Sequence, residues 1–340
     1  MGLSKKTKLI VSLALTISLT SVLTIGCNNG VSQSNNNKTQ EASNDSTLIY
    51  TQGIEQTTIY GKVKGSKENN EKTLLWQGIP YAKAPIGNLR WKAPEDPEIW
   101  NNVFDATTPG NVGIQLSGSD IIGSEDCLNL DIYRPNTDET NLPVLLFIHG
   151  GNNQTGTSSE IDARKLAVNA NCIVVSINYR LGALGFNSLP ALKTGDINED
   201  SGNYTLLDIA KSFDWINENI EAFGGNPNNI TASGFSAGGR DIMAMLISPI
   251  FEGKFQKAIA FSGGMTISDP EESAQIIAKA IAPLVIEDNV KETEEDAYNW
   301  LLTDDTEVKD YLYSLFLTDT VTGFGASYPE AFNNEGAKDL

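Results

Sequence analysis

The 340-residue chain is poor in the side chains that bind metals and form disulfides. It has one histidine and three cysteines, and no two cysteines lie close together in the sequence. A structural zinc site needs about four such ligands, so the sequence predicts no zinc site. It also contains no glycine-rich phosphate loop and no dinucleotide-binding fingerprint. We therefore expect the protein to use no cofactor.

Positive charge is scarce as well. The chain has 24 Lys and Arg against 43 Asp and Glu, a net charge of −19 at pH 7. Residues 1–26 carry three lysines and no acidic residue, so without them the net charge is −22. Phosphates would repel such a protein. We expect no nucleic-acid partner and no electrostatic adhesion to anionic lipid.

The N-terminus predicts export from a bacterial cytoplasm. Three lysines precede an uncharged, mostly apolar run over residues 9–25, which is the layout of a secretory signal. Residues 23–27, Leu-Thr-Ile-Gly-Cys, resemble a bacterial lipobox, in which the cysteine is acylated after cleavage. We expect residues 1–26 to be a lipoprotein signal peptide and Cys27 to carry the lipid. The alternative is an uncleaved anchor, since the run approaches the length that spans a bilayer.

Residues 27–48 are mostly Asn, Ser, Gln and Thr. Such a segment buries too little apolar surface to offset the entropy lost on ordering. It predicts a flexible linker between the lipid and a globular domain over residues 49–340, so that the lipid anchor is the only contact with the membrane. Cys127 and Cys172 could pair in an oxidising compartment, but nothing in the sequence sets them side by side, and we predict two free thiols.

Short apolar runs alternate with helical patterns along the globular part. Buried parallel strands are predicted over residues 144–148, 172–177, 230–232 and 258–261. An apolar stripe from Leu206 to Ile220 predicts a helix with Asn203 as its cap and Gly224 as its stop. This alternation indicates an α/β fold with a mostly parallel sheet and helices on both faces.

The two ends of this pattern differ from its centre. Residues 57–75 are polar and alternating, and they predict a small antiparallel hairpin at the N-terminal edge. Beyond residue 262 only helices are predicted, over residues 270–282, 294–302 and 307–316. Asp269 is the expected cap of the first of these helices, with Pro270 at its first position.

One short motif predicts a catalytic nucleophile. Residues 234–238 read Gly-Phe-Ser-Ala-Gly, between a predicted strand over 229–233 and a predicted helix over 239–248. This pattern is typical of a nucleophile elbow, in which small neighbours let the backbone close around a serine and the next helix points its amides at an oxyanion. Ser236 is therefore the predicted nucleophile. An ordinary glycine-rich turn is the alternative.

His149 begins a second motif, His-Gly-Gly-Asn at residues 149–152, directly after the strongest predicted strand. Hydrolases with such an elbow take further oxyanion donors from the amides of a loop at this place. Their general base follows the nucleophile in the chain. Since His149 precedes Ser236, we interpret it as structural.

Further motifs lie at fixed places before the elbow. They are Gln-Gly-Ile-Pro-Tyr-Ala at 77–82 with Leu-Arg-Trp at 89–91, Ser-Glu-Asp-Cys-Leu-Asn-Leu at 124–130, Asn-Tyr-Arg-Leu-Gly at 178–182, Gly-Asn-Tyr at 202–204 with Leu-Asp at 207–208, and Ala-Phe-Gly-Gly-Asn-Pro at 222–227. Together they resemble the type B carboxylesterase family, which includes cholinesterases and bacterial p-nitrobenzyl esterases. The resemblance runs from residue 73 to residue 264 and implies the α/β-hydrolase fold.

The resemblance also implies an activity. Ser236 would attack a small-molecule carboxylic ester and form an acyl-enzyme, and the amides of Gly151, Asn152 and Ala237 would form the oxyanion hole. Asn152 stands where the family usually has a glycine, and asparagine tolerates left-handed backbone geometry. Phe235 replaces the family's glutamate. Gly113 stands where disulfide-bearing members place the partner of Cys127, in agreement with a free Cys127.

The acid and the histidine of a triad are missing from the pattern. The family places both residues beyond further strands, whereas this chain has no histidine after Ser236. An acid among Asp304, Asp305 and Glu307 would therefore have no histidine to orient. We expect a C-terminally truncated esterase that lacks the last strands and has little or no turnover. Its unpaired hydrophobic edge would invite aggregation unless the terminal helices cover it. The alternatives are a non-catalytic cholinesterase-like binding module and a truncated gene relic.

Overall fold

The computed structural model describes residues 48–67, 72–118, 120–265 and 267–315. The predicted signal peptide, Cys27 and nearly all of the predicted linker lie outside the described residues, as do residues 316–340. Among the described residues, no helix combines the length and the apolar character needed to cross a membrane.

Strands and helices alternate along the described chain. The strands are β1 (Glu55–Thr58), β2 (Gly61–Lys64), β3 (Ser66–Lys67), β4 (Thr73–Pro80), β5 (Phe104–Asp105), β6 (Gln115–Ser117), β7 (Asp120–Ile122), β8 (Asn129–Pro135), β9 (Leu142–Ile148), β10 (Ile173–Ile177), β11 (Gly225–Phe235) and β12 (Lys257–Phe261). The α-helices are α1 (Ala163–Ala170), α2 (Gly182–Gly185), α3 (Tyr204–Asn219), α4 (Ala237–Met245), α5 (Pro270–Glu287), α6 (Glu294–Leu301) and α7 (Thr306–Ser314).

Seven strands form the central sheet, in the order β12-β11-β9-β10-β8-β4-β3. The pairs from β12 to β10 are parallel, and the pairs from β10 to β3 are antiparallel. The sheet is thus mixed, and the prediction of a mostly parallel sheet is corrected. Parallel pairing needs a long crossover connection, and α1, α3 and α4 provide such crossovers only from β9 onward.

Helices pack on both faces of this sheet, as predicted. Successive side chains of a strand point to opposite faces, so Val174 and Val175 of β10 mark the two sides. Val175 belongs to the apolar cluster that contains Ile209 and Phe213 of α3. Val174 packs instead with Ala167 of α1.

Burial differs between the middle and the edge of the sheet. Every residue of β10 is buried, whereas every residue of β12 is exposed. The predicted burial of residues 258–261 is therefore wrong, because β11 pairs with one side of β12 and no described residue pairs with the other. Ile259 and Phe261 are 41% and 52% exposed, so the described terminal helices do not cover this edge.

Helix α3 forms where the apolar stripe predicts it, with Ile209, Phe213 and Ile216 buried. A short turn follows and ends at Gly224, whose φ of 78° suits a glycine. Asn203 occupies the N-cap position, as predicted, and its carbonyl oxygen accepts a hydrogen bond from Leu207 N at 3.2 Å. Its side chain makes no capping hydrogen bond, because its backbone, at φ −95° and ψ 57°, lies outside the extended region typical of a capping residue.

The three C-terminal helices share a second apolar cluster. Asp269 caps α5 as predicted, accepting hydrogen bonds from two amides of the first turn at 2.8 and 3.1 Å. The helix continues beyond its predicted end at Ala282. Pro283 removes one helical donor, but Leu284 and Val285 are buried in the cluster and hold the next turn in place.

Residues 57–75 contribute to two sheets rather than to one hairpin. β1 and β2 form an antiparallel hairpin that belongs to a separate sheet with β5. β3 and β4 form a second antiparallel pair at the edge of the central sheet. Gly65 separates the two pairs, and a Cβ at this position would lie 2.2 Å from the carbonyl oxygen of Leu75.

Candidate active site

Ser236 occupies the junction between β11 and α4. Its φ of 56° and ψ of −114° lie in a region that a residue with a side chain rarely adopts, and such strain is found at functional sites. The turn is held by two backbone hydrogen bonds, from Ser236 N to Phe261 O at 2.8 Å and from Arg240 N to Ser236 O at 3.0 Å. Ser236 remains partly exposed. The structure therefore has a strained turn at the position where the sequence predicts a nucleophile elbow.

The glycines of this motif are required by close backbone contacts. A Cβ on Gly234 would lie 2.3 Å from the carbonyl oxygen of Gly238. A Cβ on Gly238 would lie 2.2 Å from the carbonyl oxygen of Ile148, at the end of β9. Neither separation is sterically possible, so a larger residue at either position would open the turn.

The loop after β9 packs directly against the elbow. A Cβ on Gly150 would lie 3.2 Å from Ser236 Cβ, which places the two backbones side by side. Gly151 and Asn152 have φ values of 86° and 58°, so Asn152 adopts the left-handed geometry expected of it. Ala237 is the first residue of α4. The first amides of an α-helix have no acceptor within the helix, so the amide of Ala237 is available to bind an oxyanion. The loop and the helix thus meet at Ser236, while the oxyanion roles of Gly151, Asn152 and Ala237 stay predictions.

Two side-chain hydrogen bonds tie this loop to α4. The guanidinium of Arg240 donates to Asn152 Oδ1, and Asn153 Nδ2 donates to Asp241 Oδ1 at 2.9 Å. Sequence reasoning missed Asn153, Arg240 and Asp241. The sequence offered no clear signal, because Arg240 and Asp241 beside Ile242 fit an ordinary amphipathic helix.

Asp241 is a buried carboxyl group beside the site. Only 5% of the residue is exposed, and desolvation raises its pKa to about 7, against the opposing effects of the Asn153 hydrogen bond and the charge of Arg240. Its Oδ2 has no hydrogen-bond partner among the described residues. A buried oxygen without a partner is unusual in a folded protein.

His149 is buried beneath the loop and makes its described side-chain contacts with Gly150 and Tyr179. It is 1% exposed and stacks on the ring of Tyr179, with centroids 4.2 Å apart. Its Nδ1 lies 3.0 Å from Gly150 O and 3.2 Å from the hydroxyl of Tyr179. Desolvation lowers its pKa to about 4. These contacts agree with the structural interpretation of His149.

The described residues provide Ser236 with no base. Ser236 Oγ forms no hydrogen bond to any of them. Glu160 reaches the neighbouring loop, where its Oε2 accepts a hydrogen bond from Gly150 N at 3.2 Å, but it forms no hydrogen bond with Ser236 Oγ. Asp304, Asp305 and Glu307 are exposed at the start of α7. Nor do the described residues contain a group of three or more His, Cys, Asp or Glu that could hold a metal ion.

The separate sequence motifs are joined by two ion pairs, one partly buried and one buried. Arg90 donates two hydrogen bonds to Glu125, at 2.6 and 2.8 Å, and so joins the first motif to the second. Arg180 donates two to Asp208, at 2.8 and 2.6 Å, and joins the end of β10 to α3. These residues hold the scaffold together.

The two described cysteines are both free thiols, as predicted, and both are buried. Burial raises the pKa of each thiol. Cys127 and Gly113 line the same small cavity, so the structure agrees with a glycine where a disulfide partner would otherwise stand.

Known proteins match the chain in sequence and in structure. Residues 52–307 match the carboxylesterase family. The chain is 45% identical over 242 residues to the para-nitrobenzyl esterase of Bacillus subtilis (strain 168), covering 68% of this chain and 48% of that protein. It is 39% identical over 260 residues to the cocaine esterase of Homo sapiens, covering 69% and 45%.

Solved structures give the same result. A PNB esterase structure superposes with a TM-score of 0.62 at 40% identity, covering 77% of this chain and 54% of that one. A carboxylesterase of Geobacillus stearothermophilus superposes with a TM-score of 0.63 at 31% identity, covering 82% and 57%. The α/β-hydrolase fold is thereby confirmed. The chain spans about half the length of the curated relatives it matches.

Proposed function

Because this chain belongs to the carboxylesterase family, we propose that it acts on carboxylic esters through a covalent acyl group on Ser236. The observation that carries the proposal is the strained turn at Ser236, with the loop of residues 149–152 packed against it. A turn of this geometry exposes a serine to a carbonyl carbon and sets backbone amides around it.

The proposed reaction has two stages. Ser236 Oγ bonds to the ester carbonyl carbon and gives up its proton, and the alcohol leaves with a proton as the acyl-enzyme forms. Water then attacks the acyl group, releases the acid and restores the hydroxyl. The amides of Gly151, Asn152 and Ala237 would stabilise the oxyanion of each tetrahedral intermediate, and the loss of one such donor costs roughly 100-fold or more in rate.

The described residues offer no base to Ser236. His149 is the single histidine, and it is buried against Tyr179 with a pKa lowered to about 4. We therefore expect very weak turnover from this chain by itself. The absence of triad members lowers turnover by about 10⁴-fold or more, and the oxyanion hole and substrate binding provide the remainder.

A fluorophosphonate probe tests the nucleophile separately from turnover. We expect slow labelling of the 340-residue chain at Ser236, because the strained turn exposes the hydroxyl while no described residue takes its proton. Labelling should be absent in Ser236→Ala and unchanged in Ser314→Ala, which removes an exposed hydroxyl on α7. Intact mass and peptide mapping locate the adduct. A folded sample that does not react would favour a non-catalytic binding module, an alternative supported by Phe235, which is 46% exposed beside the nucleophile.

Hydrolysis of p-nitrophenyl butyrate tests the missing base. Rapid turnover that Ser236→Ala abolishes would contradict the proposal that the chain lacks one. The similarity to a para-nitrobenzyl esterase makes p-nitrobenzyl esters the second substrates to measure.

We also propose that the protein is exported and anchored by a lipid on Cys27, with residues 1–26 removed. The basic start, the apolar run and the lipobox-like residues 23–27 support this location. Expression in bacteria with a labelled fatty acid should give a labelled protein, and Cys27→Ser should abolish the label. Label retained in Cys27→Ser would contradict the anchor.

A further inference from the structure

The loop that packs against Ser236 contains two consecutive glycines, Gly150 and Gly151. Glycine has no side chain to restrict its backbone torsions, and it loses more conformational freedom on folding than any other residue. The directions of the next amides, those of Gly151 and Asn152, follow from the backbone torsions of Gly150. Their use as oxyanion donors therefore requires that Gly150 be held in place from outside the loop.

Glu160 makes such a contact with Gly150. Its Oε2 accepts a hydrogen bond from Gly150 N at 3.2 Å, and a hydrogen bond to a carboxylate is roughly twice as strong as one between neutral groups. A Cβ on Gly150 would lie 2.8 Å from Phe235 O and 3.2 Å from Ser236 Cβ. Glu160 thus binds a residue of the loop that packs against the turn itself.

The backbone of Glu160 is supported by buried polar contacts. Glu160 ends a short 3₁₀ helix (Ser158–Glu160), in which Ser158 is 2% exposed. Ser158 N donates to Asn178 Oδ1 and Ser158 Oγ donates to Asp131 Oδ2, both at 2.8 Å. Asp131 lies in β8, and Asn178 directly follows β10. Both of these residues are buried, so the carboxylate of Glu160 extends from a fixed point.

These contacts connect the loop to the best supported part of the sheet. All residues of β8 and β10 are buried. The turn at Ser236 is bonded instead to Phe261 of β12, a strand whose residues are all exposed. Functional groups are held precisely when the residues that support them belong to rigid elements. The loop therefore takes its position from β8 and β10 through Glu160.

We propose that Glu160 is a positioning residue of the candidate active site. By accepting from Gly150 N, it holds the loop of residues 149–152 at Ser236 and directs the amides of Gly151 and Asn152 towards the oxyanion. In this role Glu160 acts through the loop and transfers no proton. The inference rests on the proposed function, because it assigns a further residue to the same reaction.

The rate of fluorophosphonate labelling at Ser236 tests this role with a conservative pair of variants. Glu160→Gln keeps an oxygen that can accept from Gly150 N, whereas Glu160→Ala removes it. We expect Glu160→Ala to be labelled about tenfold or more slowly than the wild-type chain, because small misplacements in a catalytic site cost up to about 100-fold in rate. Glu160→Gln should restore most of that rate. Equal slowing in the two variants would overturn the inference.

Glu139→Ala is the matched control. It also removes an exposed carboxylate that accepts a hydrogen bond, here from Asn171 Nδ2 at 2.7 Å, and it should be labelled at the wild-type rate. Slowing in Glu139→Ala as large as that in Glu160→Ala would overturn the inference. Near-ultraviolet circular dichroism verifies that each variant is folded.

Amide hydrogen exchange, followed by NMR, measures the contact itself without any reaction at Ser236. The Gly150 amide should exchange faster in Glu160→Ala than in the wild-type chain and should stay protected in Glu160→Gln. Faster exchange without slower labelling would overturn the inference, since the contact would then have no effect on the site. Exchange that depends on Glu160, in a chain that the fluorophosphonate does not label, would support the hold of Glu160 on the loop and count against the proposed function.

Discussion

Strands β10 and β12 belong to the same sheet, have five residues each and are both rich in apolar side chains, yet their surroundings are opposite. All residues of β10 are buried, and all residues of β12 are exposed. β10 has β9 on one side and β8 on the other, with helices packed on both faces. β12 has only β11 among the described residues. Burial of an apolar strand is therefore decided by its neighbours in the sheet and not by its own residues.

The turn at Ser236 lies next to β12, the exposed strand. Ser236 N donates to Phe261 O at the end of β12, so the turn at Ser236 is held by a strand that pairs with fewer described neighbours than β10 does. We expect stability to be concentrated around β10 and local opening to begin near β12, since regions with few buried apolar contacts open first. The following changes test that difference.

The largest effect is expected at the buried end of β10. Arg180 and Asp208 are 2% and 0% exposed at their side chains, and Arg180→Ala would leave a buried carboxylate without its partner. We expect a loss of about 4 kcal/mol in the free energy of unfolding, measured by denaturant titration. The matched change Arg164→Ala breaks an exposed pair with Asp162 and should cost about 0.5 kcal/mol. Equal losses of stability in Arg180→Ala and Arg164→Ala would contradict the expected importance of the buried pair.

Matched truncations of the two strands come next. Ile177 in β10 is 0% exposed and Ile259 in β12 is 41% exposed. Ile177→Ala should destabilise the protein by about 3 kcal/mol, whereas Ile259→Ala should cost about 1 kcal/mol or less. Tryptophan fluorescence during guanidinium unfolding gives both values. A cost for Ile259→Ala as large as that for Ile177→Ala would mean that β12 is covered in solution.

The pH dependence of stability tests α4, the helix between β11 and β12 that carries Asp241. The pKa of Asp241 is raised from 3.8 to about 7 in the folded protein, so the native state holds a proton that the unfolded chain loses. Its contribution to stability is full below the unfolded pKa and is lost as the pH rises towards 7. Relative to wild type, Asp241→Asn should gain about 2 kcal/mol between about pH 5 and about pH 8. Asp304→Asn should show no such trend, and a parallel profile for Asp241→Asn would contradict the assignment.

The smallest effect on stability is expected at the open edge. Ile259→Lys adds a charge to an exposed strand, so the free energy of unfolding should change by about 0.5 kcal/mol or less. Charged residues on an edge strand oppose pairing with other chains, and light scattering should show less self-association than in wild type. Unchanged scattering would show that this edge does not drive association.

Local sequence patterns predicted those parts of the fold that depend on local structure. The apolar stripe of α3, the Asp269 cap and the glycine-bounded turn at Ser236 all formed as expected, because each depends on residues a few positions apart. The antiparallel half of the sheet, the exposure of β12 and the extension of α5 beyond Pro283 were missed. These depend on which distant element lies alongside, and spacing along the chain does not contain that information.

The predictions for the site also succeeded where the features are local and failed where they depend on distant residues. The elbow and the loop of residues 149–152 were predicted from motifs, since the backbone geometry of each is encoded in neighbouring residues. The hydrogen bonds of Asn153 with Asp241 and of Asn152 with Arg240 join residues 88 positions apart. In the sequence Asp241 reads as an ordinary helical residue, and only the fold shows that it is buried beside the loop.

The solitary imidazole of His149 has a spectroscopic consequence. A chain with one histidine gives one pair of imidazole carbon-bound proton resonances, and here that ring stacks on Tyr179 and touches Gly150 O. With its pKa lowered to about 4, the ring stays neutral at physiological pH. Its chemical shifts should therefore respond to the conformation of the loop and not to the pH of the solution. The protein thus carries a single natural reporter beneath the loop that packs against Ser236, and each ligand that moves this loop should move that one pair of signals.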